Sequence, residues 1–140
     1  MQDIFLFAEQ HFALMAALVV VLLLLVILEL TRQFRGARQV NTHLATHLIN
    51  HQNGVVIDIR PQDGFTKGHI VGAISLPMTE LAKSTKKLEK HKSNPILIVC
   101  ATGLDSIKAA NALKTKGFNV FILQGGIRQW KDAGMPLIKE

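Results

Sequence analysis

The single cysteine of the chain, Cys100, stands where an apolar segment meets a short loop and a helix. The run Pro95-Ile96-Leu97-Ile98-Val99-Cys100 predicts a buried strand, and the residues from Ser106 to Leu113 predict a helix capped by Asp105 or Ser106. In a loop that leads into a helix, backbone N–H groups converge and the helix dipole favours negative charge. A thiol placed there is favoured as the thiolate, which is the nucleophilic form.

The segments around this cysteine alternate between strand and helix. Expected strands cover residues 55–59, 73–76, 95–100 and 119–123, and expected helices cover about 42–50, 77–90, 106–116 and 127–133, with a loop at 60–64. Asn41 or Thr42 is expected to cap the first helix, Leu81 and Leu88 are expected to point inward from the second, and Gly125-Gly126 is expected to form a turn. This alternation predicts an α/β fold with a central parallel sheet flanked by helices. Reactive groups in such folds collect at the carboxyl ends of strands, where Cys100 is expected to lie.

An apolar segment precedes this fold. Residues 12–28 carry no charge, and extension to Leu30 gives 19 residues, or about 28 Å of helix, which matches the hydrocarbon core of a bilayer. We therefore predict one transmembrane span at about 12–30, within an N-terminal segment 1–30. No basic segment precedes the span and no small-residue cleavage site follows it, which argues against a cleaved signal peptide.

The basic residues give the expected orientation. All 16 Lys and Arg follow residue 30, together with seven of the ten acidic residues, a surplus of nine positive charges. The positive-inside rule predicts a single-pass protein of the inner (cytoplasmic) membrane, with its N-terminus outside and its domain in the cytoplasm. Residues 31–40 are expected to form a basic tether and residues 41–140 the domain. The lone cysteine excludes an internal disulfide and fits a reducing compartment.

The positive charge of the domain also indicates which partners to expect. A positive domain beside a membrane suits an anionic lipid bilayer as its partner. Nucleic acid is not expected, because the basic residues are spread among helices without aromatic side chains between them. A basic stretch (Lys83, Lys86, Lys87, Lys90 and Lys92) is typical of a solvated face, and contact with lipid headgroups is the alternative.

Several sequence blocks, in order, resemble a single-domain rhodanese, a member of a sulfurtransferase family, over about residues 41–138. They are Val56-Ile57-Asp58-Ile59-Arg60, Phe65-x-x-Gly68-His69-Ile70-x-Gly72-Ala73-Ile74, Cys100-Ala101-Thr102-Gly103, Gly117-Phe118-x-Val120 and Leu123-x-Gly125-Gly126-Ile127-x-x-Trp130. The resemblance implies a rhodanese-like domain in which the Cys100 thiolate takes sulfane sulfur from a donor, carries it as a persulfide and passes it to an acceptor. It implies no metal and no organic cofactor. Because the chain has no second cysteine, the acceptor must be another molecule, either small or a protein.

The resemblance also assigns the loop that would bind the persulfide: Ala101, Thr102, Gly103, Leu104 and Asp105. Most family members have an arginine where this chain has Asp105. An arginine offers a donor fork to an anion, whereas a carboxylate repels an anion and disfavours the thiolate. Thiosulfate is therefore a doubtful donor, and we expect a protein persulfide, a polysulfide or another less charged donor. Lys108, Arg60 and Arg128 are hypothesised to restore positive potential near the sulfur.

Asp105 leaves a second function possible. A catalytically weak module of the same fold could bind a membrane protein or a partner of a sulfur relay at the membrane surface. A cysteine phosphatase is disfavoured, because no arginine able to grip phosphate lies between Cys100 and Ser106.

The remaining polar residues have structural interpretations. Asp58 and Arg60 are expected to support the loops through hydrogen bonds, and His69 is expected to pack beside its glycine. Three histidines (His43, His47 and His51) recur every four residues on one helix face, a spacing that can bind zinc. Without a nearby carboxylate or cysteine, a solvated polar face is the favoured interpretation, and no metal site is expected.

Overall fold

The computed structural model describes residues 7, 10–34 and 36–140, and they fall into two units, Met1–Arg35 and Gly36–Glu140. In chain order the elements are α1 (Phe12–Phe34), β1 (Arg38–Val40), α2 (Thr42–His51), β2 (Val55–Asp58), α3 (Gln62–Lys67), β3 (Ile74–Ser75), α4 (Met78–Leu81), α5 (Thr85–Leu88), a 3-10 turn (Glu89–His91), β4 (Ile96–Val99), α6 (Leu104–Thr115), β5 (Val120–Leu123) and α7 (Gly126–Asp132).

Helix α1 makes up most of the first unit. Its segment Phe12–Thr31 has 20 residues and is long and apolar enough to cross a membrane, by length and composition. None of this apolar segment is buried against the protein, and side chains such as Leu23 are more than half exposed. Single soluble domains rarely expose an apolar surface of this size.

The second unit contains a five-stranded sheet in the order β1-β5-β4-β2-β3. Every pairing is parallel, which confirms the predicted α/β class with a central parallel sheet. All four residues of β4 are buried, because this strand lies in the middle of the sheet and is covered on both faces. Successive side chains alternate between the faces, so that Ile96, Ile98 and Cys100 belong to one core cluster and Leu97 and Val99 to the other.

Helices cover both faces, as predicted. On the Cys100 face the core includes Ala109, Ala110 and Leu113 of α6, together with Leu81 and Leu88, the two leucines expected to point inward. On the other face, α2 and α7 contribute four side chains to the core: Ala45, Leu48, Ile127 and Trp130. The predicted cap of α2 is confirmed, since the Asn41 side chain accepts a hydrogen bond from Leu44 N at 2.9 Å.

The expected tether over residues 31–40 is wrong at both of its ends. Helix α1 continues to Phe34, and Arg38–Val40 forms strand β1, which pairs with β5 in the register Arg38↔Phe121 to Val40↔Leu123. Val40 is buried in the core. The second unit therefore begins at Gly36 rather than at residue 41.

Two other elements differ from expectation. The loop expected at 60–64 is partly helical, because Pro61 is compatible with a helix start and Phe65 is buried against the domain. The single helix expected over 77–90 is broken into α4, α5 and a 3-10 turn. The Thr85 hydroxyl bonds to the carbonyl oxygen of Leu81 at 3.2 Å, and such local side-chain bonds compete with regular helix.

Candidate active site

Cys100 follows the last residue of β4, at the carboxyl end of the central strand, as predicted. Its side chain is free and 3% exposed. The neighbouring strands β5 and β2 end at the same edge of the sheet because all of the pairings are parallel. The loop after Cys100 and the loops after these two strands therefore leave the sheet at the same edge.

The backbone of Gly103 makes the contact to the sulfur. Gly103 N donates a hydrogen bond to Cys100 Sγ over 2.8 Å. Gly103 has a φ of +92°, a left-handed conformation that favours glycine. A Cβ atom there would also lie 3.2 Å from Gly125 N. Glycine therefore allows the loop to turn back sharply enough for its N–H to reach the sulfur.

The other members of the expected binding loop lie around this contact. Ala101, Thr102, Leu104 and Asp105 are exposed, and among the described residues the sulfur accepts a hydrogen bond from Gly103 alone. The loop thus has one N–H on the sulfur, together with exposed side chains at its rim. Leu104 is 77% exposed, which is unusual for a large apolar side chain.

The predicted cap of the following helix is wrong. Helix α6 begins at Leu104, and Gly103 occupies the N-cap position without a capping side chain. The expected caps, Asp105 and Ser106, lie inside the first turn instead. Ser106 is fully buried, and its hydroxyl has no hydrogen-bond partner among the described residues. A buried hydroxyl without a partner costs about 1–3 kcal/mol.

A second glycine turn holds the cysteine loop from the other side. Ile127 N donates to Cys100 O at 2.9 Å, and Arg128 N donates to Ala101 O at 3.2 Å. A Cβ atom on Gly126 would lie 2.3 Å from Cys100 O and 2.8 Å from Ala101 C. The first turn of α7 and the cysteine loop therefore pack backbone to backbone. The sequence predicts a turn at Gly125-Gly126 but does not reveal this contact; the paired glycines after a strand are its only signal.

Two cavities open beside the loop. One, of about 140 Å³, is lined by residues that include Gly103, Leu104 and Ile107. The other, of about 300 Å³, is lined by residues that include Thr102 and Arg128. A small sulfur compound, or a side chain of a partner, has room to approach the loop on either side.

The supporting role predicted for Asp58 and Arg60 agrees with the geometry. Asp58 is fully buried at the end of β2. Its carboxylate accepts from Arg60 N at 3.0 Å and forms an ion pair with the guanidinium of Arg60 at 2.7 Å. Arg60 Nη2 also donates to Gly68 O at 2.7 Å. The pair joins the loops after β2 and before β3.

This pairing bears on the hypothesis that Arg60 supplies positive potential at the sulfur. The Arg60 guanidinium is balanced by the Asp58 carboxylate, so Arg60 is unavailable as a free cation. Arg128 is exposed and lines a cavity shared with Thr102. Lys108 is also exposed, in the second turn of α6. These two cations remain the predicted sources of positive potential.

The histidines lie elsewhere in the domain. His69 is buried, stacks on Phe65 with ring centroids 3.8 Å apart, and places Nδ1 2.9 Å from Phe65 O. Three exposed histidines (His43, His47 and His51) line a groove of about 460 Å³ along α2. Across residues 7, 10–34 and 36–140, no group of three or more His, Cys, Asp or Glu is placed to hold a metal ion.

Comparisons with known proteins give consistent results. Residues 41–133 match the Rhodanese-like domain family. The uncharacterized protein YibN of Escherichia coli (strain K12) is 35% identical over 99% of both chains. The thiosulfate sulfurtransferase GlpE of Coxiella burnetii (strain RSA 331 / Henzerling II) is 34% identical over 67% of this chain and 87% of its own. The crystal structure of a rhodanese-related protein from Thermoplasma volcanium superposes with a TM-score of 0.65 and 30% identity, over 74% of this chain and 99% of that one.

Proposed function

The chain belongs to the Rhodanese-like domain family, and on this premise we propose that it is a membrane-anchored sulfurtransferase that carries sulfane sulfur on Cys100. The observation that supports this most directly is the hydrogen bond from Gly103 N to Cys100 Sγ at 2.8 Å. A donor aimed at Sγ stabilises the negative charge of the attacking thiolate, and it does so again when the acceptor releases that thiolate.

The proposed reaction has two balanced steps. In the first, the Cys100 thiolate attacks the outer sulfur of a donor, so that the sulfur–sulfur bond of the donor breaks and a new one forms at Cys100. The electron pair of the broken bond leaves with the rest of the donor. In the second, a nucleophilic acceptor attacks the outer sulfur of the persulfide and releases the Cys100 thiolate. Neither step needs an outside oxidant, metal or organic cofactor.

The second part of the proposal is the identity of the sulfur donor. The GlpE relative is named for thiosulfate, yet the loop of this chain has the exposed carboxylate of Asp105, which has no ion-pair partner among the described residues. A dianion approaching that rim is repelled. The exposed Leu104 beside it favours an apolar contact. We therefore propose a donor less charged than thiosulfate: a protein persulfide, a polysulfide in a protonated or organic form, or another donor of low charge.

Anchoring is proposed from α1. Its segment Phe12–Thr31 spans about 30 Å as a helix, the thickness of a hydrocarbon core. The basic residues that follow it favour an orientation with the domain in the cytoplasm. Alkaline extraction of membranes that contain the full chain tests the anchoring: an integral protein stays with the lipid, whereas release into the supernatant contradicts it.

Turnover tests the enzymatic part. The full chain, in detergent or liposomes, is mixed with a sulfane donor and a thiol acceptor, and the sulfur transferred is measured with time. We expect multiple turnovers with a polysulfide and none with Cys100→Ser. Equal rates for the two proteins would overturn the proposal.

The exposed apolar side chains beside the cysteine loop support a second candidate function. Leu104 is 77% exposed and Ile107 is 41% exposed, and both line the cavity beside the loop. These side chains favour a module that binds a protein partner at the membrane surface, with little turnover of its own. This function would be favoured if sulfur transfer were slow with every donor tested and if Cys100→Ser still bound the partner.

A further inference from the structure

Six lysines from separate segments gather at one end of the domain. We name them the lysine patch: Lys86, Lys87, Lys90, Lys92, Lys114 and Lys116. All are exposed except Lys114, which is half-buried. The first four belong to the basic stretch visible in the sequence, and the last two come from the end of α6, more than 20 residues later.

Specific contacts bring these segments together. Lys116 Nζ donates to the Thr85 hydroxyl at 2.8 Å, which places the end of α6 beside the start of α5. Lys92 Nζ lies 5.6 Å from the ring centroid of Phe118, just beyond α6. The patch is therefore a feature of the fold, since a linear reading of the sequence separates its two halves.

Little negative charge balances the patch. Within the described part of the chain, its one ion pair joins Lys92 and Glu89 at 3.7 Å, and both side chains are about half exposed. Like charges on one surface repel one another unless an anion lies against them. The patch therefore fits a partner that offers many negative charges over a surface.

The patch lies at the amino end of the sheet. Lys92 precedes β4 and Lys116 precedes β5. Lys114 Nζ donates to the carbonyl oxygen of Gly36, the first residue of the domain unit, at 2.9 Å. Because all of the strands are parallel, Cys100 lies at the opposite, carboxyl end of the same sheet. A partner bound at the patch therefore leaves the cysteine loop free.

We propose that the lysine patch docks the domain on the headgroups of anionic phospholipids. The short connection along the chain supports a lipid surface as the partner, because Gly36 follows the apolar helix α1 within a few residues. The proposal rests on the membrane anchoring proposed above. Each lysine close to an anionic surface strengthens binding about fivefold, and the effect fades beyond a Debye length of about 10 Å at ordinary salt.

The test uses the full chain in liposomes of phosphatidylcholine, with or without phosphatidylglycerol. A membrane-impermeant amine reagent labels the lysines, and the rate at each site is read by peptide mass spectrometry. Lys108 is the internal reference, since it is exposed near the start of α6 and away from the patch. Rates are expressed relative to Lys108 in the same molecule, so the orientation of the chain in the liposome cancels.

We expect phosphatidylglycerol to slow the labelling of Lys86, Lys90 and Lys116 at least about fivefold relative to Lys108. About 1 M salt should abolish the effect, because the Debye length then falls to about 3 Å. The triple variant K86Q/K87Q/K90Q should reduce the protection of Lys116 to less than twofold. The matched control Lys131→Gln, an exposed lysine of α7, should leave it unchanged.

The outcomes separate docking from anchoring. If the chain floats with both kinds of liposome but labelling is the same in each, docking is overturned and anchoring stands. If it floats only with phosphatidylglycerol, and salt releases it, docking is supported and anchoring fails. Flotation with neither overturns both. Protection by RNA in pure phosphatidylcholine liposomes, without protection by phosphatidylglycerol, overturns lipid as the partner.

Discussion

Gly126→Ala perturbs the cysteine loop without touching the thiol. Gly126 has a φ of +61°, and a Cβ atom there would lie 2.3 Å from Cys100 O and 2.8 Å from Ala101 O. Carbon contacts in proteins begin near 3.5 Å, so the loop or the start of α7 must move by about 1 Å. Both obstacles are backbone, which cannot rotate away as a flexible side chain would.

The expected losses can be worked out separately. A left-handed conformation costs a residue with a Cβ atom about 1–2 kcal/mol, and overpacking adds about 1–3 kcal/mol. We expect Gly126→Ala to lose about 2–5 kcal/mol of the free energy of unfolding. A 1 Å misplacement of reacting groups costs about 10²-fold in rate, so sulfur transfer from the folded variant should fall by that order.

Gly134→Ala is the matched control. Gly134 has a similar φ of +72°, but a Cβ atom there meets nothing within 4 Å. We expect this variant to lose only the conformational 1–2 kcal/mol and to keep its transfer rate. Urea unfolding gives the free energies, and single-turnover transfer under conditions where each variant is folded gives the rates.

The reasoning is refuted if Gly126→Ala matches Gly134→Ala in both stability and transfer rate. If Gly126→Ala does not fold, Gly103→Ala supplies a different and milder clash between the same two loops, since its Cβ atom would lie 3.2 Å from Gly125 N. That variant should fold and should still transfer sulfur more slowly than Gly134→Ala.

Three further changes test individual side chains. Arg60→Gln leaves the fully buried Asp58 without its ion-pair partner, and we expect urea unfolding to show a loss of about 3–5 kcal/mol; a loss below about 1 kcal/mol would contradict this. Ser106→Ala removes a buried hydroxyl without a partner and should raise stability by about 1 kcal/mol, whereas a loss of that size would mean that the hydroxyl is bonded. Asp105→Arg replaces a carboxylate that repels anions with a guanidinium that donates hydrogen bonds to them. The rate of sulfur transfer from thiosulfate should therefore rise at least about tenfold, whereas the rate from an uncharged sulfur donor should change little. An equal effect on both rates would argue against a charge-based role.

The parts of the fold that depend on local pattern were predictable. The apolar run before Cys100 predicts β4 because a central parallel strand is buried on both faces. The inward positions of Leu81 and Leu88 are confirmed although the helix that carries them is broken, because their burial depends on apolar spacing. The supporting pair Asp58 and Arg60 lies two residues apart, so its contact is nearly local.

The parts that were missed depend on distant contacts. Arg38–Val40 has no strand signal of its own, and it becomes β1 because it pairs with β5, more than 80 residues later. The approach of Gly126 to Cys100 O joins two loops that no spacing rule relates. The predicted cap of α6 is wrong because side-chain chemistry favours Asp105 or Ser106 as caps, whereas the left-handed turn at Gly103 determines where the helix begins.

The intact mass of the full chain after reaction with a sulfane donor tests the central claim most directly, namely that Cys100 carries sulfur covalently. We predict one added sulfur atom on the wild-type chain, none on Cys100→Ser, and loss of the added sulfur when a thiol acceptor is supplied. A folded wild-type chain that gains no sulfur from thiosulfate, polysulfide or a protein persulfide would contradict the account, and so would an adduct of the same size on Cys100→Ser.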